Sequence, residues 1–311
     1  MSLANALVPM KLRLGTRGSP LALAQAEIVR SALCKSHGWP DDAISVTVIK
    51  TSGDKTMKPL VDIGGKGLFT KELEEAPLDS RIDFAVHSAK DVPSLLDERF
   101  ELSAFLERED PRDVLISNKA NALRDLPARA RIGTSSPRRR AQLLSLRPDF
   151  AILDFRGNVG TRLAKLANGE ADATILAAAG LNRLRQPDVI ANFIAVEEMI
   201  PAAGQGAIAL EIRRGDEATA AALKPLDHRL TSLSVIAERA VLAALEGSCR
   251  TPIAAHAQIA NSELALSAML AQSDGRRSLN ATIKGPSSDA KALGDEVGRK
   301  LKADAPADWI S

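Results

Sequence analysis

The chain has 311 residues, of which 45% are hydrophobic and 3% aromatic, and 41 basic against 39 acidic residues leave a net charge of +2. Two cysteines are too few for a disulfide framework, and because the cysteines and the four histidines lack ligand spacing, we predict no metal site. The near-neutral charge and the scarcity of aromatic residues argue against nucleic-acid binding. No run reaches the roughly 18 apolar residues of a membrane span and the N-terminus has no export signal, so we expect a cytoplasmic protein that does not bind a membrane.

Short strands alternate with helical patterns over the first two-thirds of the chain, which predicts an α/β architecture. After a strand at 11–15, Ser19 as N-cap and Pro20 as first helical residue predict a helix to about Lys35. The following elements are predicted as a strand at 44–49, an irregular glycine-rich segment at 64–67, a helix at 70–76 and a strand at 82–86.

The strand at 82–86 runs directly into the polar segment 87–93. Ligands of open α/β sheets bind beyond the carboxyl ends of strands, so this segment is a candidate site. Asp91 beside Lys90 should stay ionised and could stabilise a positive charge that develops on a substrate; a plain surface ion pair is the alternative. His87 is predicted to be a satisfied core residue rather than a general base.

A second unit begins after the charged stretch 107–113 and repeats the pattern of the first. A strand at 131–133 leads to Thr134, Ser135, Ser136 and Pro137, which predict a capped helix, and strands at 152–155 and 174–177 flank another helix near Val159. Helix starts bearing arginine favour anions, and this design recurs at residues 17–19 and 156–158. The alternative is that Ser136 only caps its helix and that the arginines after it are solvated.

The last third of the chain is predicted to form a small α+β unit after a crossing loop at 201–206 and a strand at 207–212. Gly204-Gln205-Gly206 matches a dinucleotide fingerprint only by chance, because a strand rather than a helix follows it, and residues 64–67 lack the Lys-Ser/Thr of a P-loop. The unit itself consists of helices at 232–246 and 289–303 and alternating runs at 264–269 and 281–283.

The two cysteines have different surroundings. Cys249 has small, polar, turn-forming neighbours and an adjacent arginine, which predicts an exposed thiol available for chemistry. Cys34 lies in an apolar helical stretch and is predicted to be structural.

Six motifs in chain order together resemble the porphobilinogen deaminase family; they lie at residues 15–22, 64–69, 87–93, 133–136 and 156–162 and around Cys249. The resemblance implies two α/β domains like those of type II periplasmic binding proteins and a smaller C-terminal α+β domain. Their expected bounds are 11–106 with 207–225, 112–200 and 229–311. It also implies a monomeric transferase of haem biosynthesis. This enzyme joins four porphobilinogen molecules head to tail, with loss of ammonia, and releases hydroxymethylbilane by hydrolysis.

The resemblance also assigns roles to residues. It implies a dipyrromethane cofactor, the primer for chain growth, bound to Cys249 by a thioether, and it makes Asp91 the catalytic acid residue that stabilises the cation left when ammonia departs. The cofactor would further contact Ser88, Lys90, Thr134, Ser136, Arg138, Arg139 and Arg156. Substrate binding would fall to Arg17, Ser19, Lys66, Arg162, Arg183 and Gln205. The chain departs from the family pattern at Asp62, where many relatives carry lysine, and at Pro137, where leucine is usual.

Two other classes of function compete with this interpretation. The first two units alone are compatible with a non-catalytic protein that closes two lobes on a small anion, but the missing export signal and the third unit with its thiol argue against it. Nucleic-acid binding through 138–140 conflicts with the charge balance.

Overall fold

A computed structural model of the chain describes residues 11–50, 71–247, 251–306 and 309, which form sheets of five, five and three strands. The strands are β1 Leu12–Arg17, β2 Ile44–Ile49, β3 Phe84–Ser88, β4 Phe100–Phe105, β5 Asp113–Ser117, β6 Arg131–Gly133, β7 Ala151–Leu153, β8 Ala173–Ala177, β9 Asn192–Phe193, β10 Ile208–Arg213, β11 Ile253–Ala260, β12 Glu263–Ala271 and β13 Ser278–Pro286. The helices are α1 Pro20–His37, α2 Lys71–Leu78, α3 Pro137–Leu146, α4 Val159–Ala167, α5 Ala178–Arg183, α6 Glu217–Leu223, α7 Arg229–Ala244 and α8 Ala290–Asp304.

The first lobe is the sheet β2-β1-β3-β10-β4, in which β1 runs parallel to β2 and β3 while β10 runs antiparallel to β3 and β4. Its helix α1 starts as predicted, because the Ser19 side chain accepts a hydrogen bond from the Ala22 N–H and Pro20 occupies the first turn. The helix ends at Gly38, whose φ of 65° is the left-handed conformation that glycine adopts without strain. Cys34 is buried in the core of this lobe, as expected.

The second lobe is the sheet β7-β6-β8-β5-β9, and it repeats the strand order and directions of the first. Two segments, 106–112 and 194–207, connect the lobes. In each sheet the fourth strand, β10 or β5, is antiparallel to both of its neighbours and is the strand that the chain enters after crossing from the other lobe. The first lobe therefore receives β10 from the chain that returns after the second lobe, whereas β5 to β9 of the second lobe are contiguous in sequence. The two crossing segments form the hinge between the lobes.

The third unit is the antiparallel sheet β11-β12-β13 packed against α7 and α8. The two helices approach closely because α8 carries glycine at the contact: a Cβ on Gly298 would lie 2.6 Å from that of Ala244, and one on Gly294 would collide with the Ala237 carbonyl oxygen. The predicted α/β architecture with a C-terminal α+β unit is confirmed.

Several elements differ from the sequence-based prediction. The strand expected at 82–86 begins at Phe84 and continues to Ser88, and the charged stretch 107–113 ends inside β5 rather than in a linker. Four strands, β4, β5, β9 and β11, and two helices, α5 and α6, were not predicted from the sequence. The loop at 204–206 does lead into a strand, which confirms that its dinucleotide-like pattern is accidental.

The described residues contain neither a membrane-spanning helix nor a cluster of metal-ligand side chains. Among the described helices, none combines the length and the hydrophobicity that a membrane-spanning helix requires. In the same part of the chain, no three His, Cys, Asp or Glu side chains are grouped as metal ligands would be.

Candidate active site

The end of β3 carries the Lys90–Asp91 segment to the opening between the two lobes. The Ser88 hydroxyl is hydrogen bonded to the buried Gln25 amide, whose Nε2 lies 2.9 Å from Ser88 Oγ, and a short 3-10 turn over Ala89–Asp91 follows. The Ala89 N–H donates to the Ala207 carbonyl at the returning crossing segment. These bonds hold the turn against the hinge and leave the Asp91 side chain exposed.

Lys90 points along the wall of this opening. Its Nζ lies 3.4 Å from Gln205 Oε1, so the residue is not merely one half of a surface ion pair with Asp91. The side chain retains contact with solvent, yet the surrounding protein displaces much of the water around it, and this desolvation, with Arg139 adding repulsion, lowers the pKa of Lys90 to about 8. The negative charge of Asp91 raises the pKa of Lys90 in opposition to these two effects.

Arg138 and Arg139, in the first turn of α3, are buried rather than solvated. Ser136 caps this helix by accepting from the Arg139 N–H. The terminal nitrogens of the two arginines donate to the two oxygens of Asp113, at 2.7 and 2.8 Å. Burial alone would raise the pKa of Asp113, but the two guanidinium groups outweigh it and hold that pKa well below its usual range. The alternative of solvated arginines is therefore wrong.

The turn before α4 adds two further arginines. Arg156 donates to Asp154 at 2.9 Å, and Arg162 donates through Nε to the Gly157 carbonyl at 3.0 Å. Asn158 caps the helix, accepting from the Thr161 N–H. Arg162 lies close enough to Asp91 and Arg139 to interact with both charges, and burial followed by Arg139 lowers its pKa to about 10. The structure thus brings Lys90, Asp91, Arg139 and Arg162 together.

Arg183 and Gln205 lie deeper, where the returning crossing segment closes the cleft. Arg183 donates to the Gly206 carbonyl at 2.6 Å, and burial lowers its pKa to about 10. A small cavity here is lined from the first lobe by Gln25, Ser88 and Lys90 and from the second by Ala177, Gly180 and Arg183.

Three more predicted residues lie at the starts of α1 and α3. Thr134 is buried, and its Oγ1 accepts from the Ser136 N–H at 3.2 Å. Ser19 caps α1, and Arg17 is the last residue of β1, half-buried. Asp62, Lys66 and Cys249 lie outside the described residues.

His87 is buried on β3, as predicted, but it is not satisfied in the way expected. Its Nε2 forms no hydrogen bond with any described residue and lies 3.4 Å from Glu211 Oε2 on β10. The prediction of a core histidine is confirmed, whereas the prediction of a satisfied one is wrong.

Glu238 joins the third unit to both crossing segments. This fully buried carboxylate on α7 accepts from both terminal nitrogens of Arg108, at 2.6 and 3.2 Å, and from the N–H groups of Gly204 and Ala257, at 2.6 and 2.8 Å. Burial would raise the pKa of Glu238, but Arg108 and then His256 outweigh it and lower that pKa. One side chain thereby holds the hinge to the third unit.

Glu238→Gln should therefore lower the free energy of unfolding by about 3 kcal/mol, because removing one partner leaves Arg108 buried without its counter-charge. Urea titration measures this loss, and Glu263→Gln, which breaks an exposed contact with Lys284, should cost less than about 1 kcal/mol. Because the folded pKa of Glu238 is lowered, the wild type should lose this stabilisation as pH falls through the carboxyl range, and the variant should not. Equal stabilities of Glu238→Gln and wild type would contradict this role.

Helix α7 also holds the segment that follows Asp91. Arg239 donates to the Pro93 carbonyl at 2.7 Å, and the Ser94 hydroxyl donates to the carbonyl of Gly247 at 2.8 Å. Gly247 immediately precedes the segment that contains Cys249. The backbone leading to the predicted thiol is thus in direct contact with the loop that follows Asp91.

The sequence analysis missed four polar residues of this region: Gln25, Asp113, Asp154 and Glu238. Each lies in a segment interpreted by another signal, since Gln25 and Glu238 are on amphipathic helices and Asp113 ends a charged stretch. A usable signal for Asp113 was the apolar run 114–116 that follows it, which is typical of a buried strand.

Cations outnumber carboxylates around the cleft, and a buried donor, Nε of Arg139, has no hydrogen-bond partner among the described residues. Such a cleft fits a ligand that carries several carboxylates, because arginine pairs with them through parallel hydrogen bonds. The residues present therefore fit the chemistry of a dipyrromethane group, which carries several carboxylates, and the cationic side chains that could meet such acids are Lys90, Arg139, Arg156 and Arg162. Fold and cleft together define a two-lobed α/β protein with a cation-rich cleft and an added third unit.

Comparison with known proteins identifies the family. The family model described as porphobilinogen deaminase, dipyromethane cofactor binding domain, matches residues 12–221, and its C-terminal domain model matches 232–303. The chain belongs to the porphobilinogen deaminase family. Porphobilinogen deaminases from Nitrobacter winogradskyi and Nitrobacter hamburgensis are each 49% identical over 290 residues, which cover 93% of this chain and 92% of the relative.

Solved structures match part of the chain at lower identity. A putative methionine-binding lipoprotein from Bacillus subtilis shares 14% identity with a TM-score of 0.42 and covers 70% of this chain and 90% of its own. A periplasmic substrate-binding protein of an ABC transporter from Coxiella burnetii shares 14% identity with a TM-score of 0.42, and the match covers 69% of this chain and 91% of that protein.

Proposed function

We propose that the cleft between the lobes is the site at which this chain carries out the reaction of its family. Four porphobilinogen molecules are condensed head to tail with release of four ammonia molecules, and one water frees the linear tetrapyrrole hydroxymethylbilane. The observation that supports this location is the convergence of Lys90, Arg139 and Arg162 near the exposed carboxylate of Asp91.

Asp91 is the proposed catalytic residue. When ammonia leaves porphobilinogen, the remaining fragment is an electron-deficient cation, and an ionised carboxylate stabilises that charge where it develops. The same oxygens accept hydrogen bonds from pyrrole N–H groups and can take up the proton that is released when the next ring is joined. Asp91 is exposed at the cleft opening, where a substrate can reach it.

The basic residues are proposed to bind the acetate and propionate groups of the pyrroles. Each ring brings two carboxylates, so a growing chain needs several anion sites, and arginine remains charged at each of them. The proposed cofactor contacts are Ser88, Lys90, Thr134, Ser136, Arg138, Arg139 and Arg156. The proposed substrate contacts are Arg17, Ser19, Lys66, Arg162, Arg183 and Gln205.

Cys249 is proposed to hold the dipyrromethane cofactor by a thioether. When bound, the cofactor supplies the terminal pyrrole to which the first substrate is joined. Support for this placement comes from the contact between Ser94 and Gly247, which brings the start of the cysteine segment to the loop after Asp91. We further propose that the chain acts as a monomer with domain bounds 11–106 with 207–225, 112–200 and 229–311.

A denaturing intact-mass measurement tests this function. Purified protein should carry the mass of two porphobilinogen units less two ammonia molecules. Brief exposure to porphobilinogen should then add further units, each of porphobilinogen less ammonia. Unmodified mass from protein supplied with porphobilinogen, together with reversible binding of a small carboxylate, would instead favour the non-catalytic two-lobed binding protein.

A further inference from the structure

Asp113 is a fully buried carboxylate at the point where the chain enters the second lobe. Three donors reach it: the terminal nitrogens of Arg138 and Arg139 at 2.7 and 2.8 Å, and the side-chain amide of Gln205 at 2.8 Å. Burying an unpaired carboxylate costs several kcal/mol, and these partners, above all the two arginines, offset that cost. With no exposed surface, Asp113 does not itself reach a ligand in the cleft.

The same contacts orient both arginines. The other terminal nitrogen of Arg138 donates to the Ile200 carbonyl at 2.7 Å, and the other terminal nitrogen of Arg139 donates to the Ile175 carbonyl at 2.9 Å. A guanidinium held at two points on a planar fork has little rotational freedom left. The unpartnered Nε of Arg139 is thus presented in a direction that Asp113 helps to set.

Gln205 extends this arrangement to the first lobe. Its Nε2 donates to Asp113 and to the Pro111 carbonyl, at 2.8 and 2.6 Å, which leaves Oε1 to face Lys90 Nζ at 3.4 Å. The opposite orientation of the amide would place Oε1 against two acceptors and Nε2 against a donor, so the hydrogen-bond partners determine it. A chain of hydrogen bonds therefore runs from the second lobe through the hinge to the residue beside Asp91.

We propose that Asp113 is a positioning residue for the reaction: it keeps Arg138 and Arg139 oriented in the second lobe and, through Gln205, ties Lys90 of the first lobe to them. This inference rests on the proposed function of the cleft. The proposed roles of the two carboxylates differ. Asp91 is exposed and acts on the substrate, whereas Asp113 is buried and acts on the protein groups that bind the pyrrole acids.

The pKa of Lys90 depends on the charge of Asp113. The charged groups that face Lys90 are Arg139 and Arg138, which lower its pKa along with burial, and Asp91 and Asp113, which raise it. Removing the charge of Asp113 should therefore lower the pKa of Lys90 further below its value of about 8. A role confined to packing would leave that pKa unchanged.

The test measures the pH dependence of reductive methylation of Lys90 by formaldehyde with cyanoborohydride as the hydride donor, quantified on the peptide by mass spectrometry. In Asp113→Asn the midpoint should fall by at least about 0.5 pH unit relative to the wild type. The matched control is Asp172→Asn, which removes another arginine-paired carboxylate of the same lobe, that of Arg131, outside the cleft. Its midpoint should equal that of the wild type.

Steady-state kinetics provide the second measurement. Because Asp113 also orients Gln205, a proposed substrate contact, Asp113→Asn should raise KM for porphobilinogen about tenfold, while Asp172→Asn should leave it unchanged. The double variant Asp113→Asn/Gln205→Glu returns one negative charge to the same hydrogen-bonded chain and should bring the Lys90 midpoint back towards that of the wild type. Such a rescue is not expected of a residue with a merely structural role.

Gln205→Met keeps the test falsifiable if Asp113→Asn does not fold. This variant leaves the Asp113–arginine pairs intact and removes only the link to Lys90, so the methylation midpoint should still fall. A folded Asp113→Asn whose Lys90 midpoint and KM match the wild type would overturn the proposal, and so would an unchanged midpoint in Gln205→Met. Failure of the wild type to consume porphobilinogen would reject the proposed function instead, since the methylation measurement does not depend on turnover.

Discussion

Asp91→Asn is expected to leave the covalent cofactor in place and to lower kcat by at least about 100-fold. Asparagine keeps the size and shape of the side chain but has no charge to stabilise the cation formed when ammonia departs. Because Asp91 is exposed at the end of a short turn held by backbone bonds, its replacement should not disturb folding. Intact mass and the rate of porphobilinogen consumption measure the two effects separately.

Asp97→Asn is the matched control for this prediction. Asp97 is an exposed carboxylate of the same lobe, paired with Arg99 at 2.7 Å and outside the cleft. Its loss should leave kcat within about twofold of the wild type, since exposed pairs contribute little. A near-normal rate in Asp91→Asn would reject Asp91 as the catalytic residue.

Cys249→Ser is expected to lack the cofactor mass and to have no measurable turnover. A serine hydroxyl is a far weaker nucleophile than a thiolate, so the thioether cannot be replaced by an ether under the same conditions. Protein purified after supply of porphobilinogen should therefore show only the mass of the polypeptide. Intact mass spectrometry with a parallel assay of hydroxymethylbilane tests both expectations.

Cys34→Ser is the control, because it replaces the only other cysteine. Cys34 is buried in the first lobe, its Sγ lies 3.5 Å from the Pro40 carbonyl, and desolvation raises the pKa of its thiol, which disfavours the reactive thiolate. This variant should retain the cofactor mass and full turnover. The opposite pattern, with the cofactor lost from Cys34→Ser and kept in Cys249→Ser, would refute the attachment site.

Elements with strong local signals were predictable. The Ser-Pro pairs at 19–20 and 136–137 mark the starts of α1 and α3, and the apolar runs before residues 89 and 134 mark strands that end at the cleft. Short elements without such signals were missed, including α5 with six residues and β9 with two. In these segments tertiary packing stabilises a conformation for which the local sequence has little preference.

The candidate site divides in the same way. Motifs in chain order identified the family and located Lys90, Asp91 and the arginine-bearing turns, because those residues follow strand ends and helix starts that the sequence marks. The sequence did not reveal that Asp113 would be buried, because a charged stretch is ordinarily solvated. The arginines that neutralise Asp113 lie 25 and 26 residues away along the chain. Burial of an acid is favourable only where such partners meet it.

The sequence by itself therefore determined the class of fold, the family and the chemical types of residue at the cleft. Only the tertiary structure decided which charges meet in space: Arg138 pairs with Asp113, and Arg108 pairs with Glu238 across 130 residues. Caps and strands depend on neighbours within a few residues, which a sequence displays directly. Buried ion pairs depend on distances in space, and these exist only after the crossing segments have brought the lobes and the third unit together.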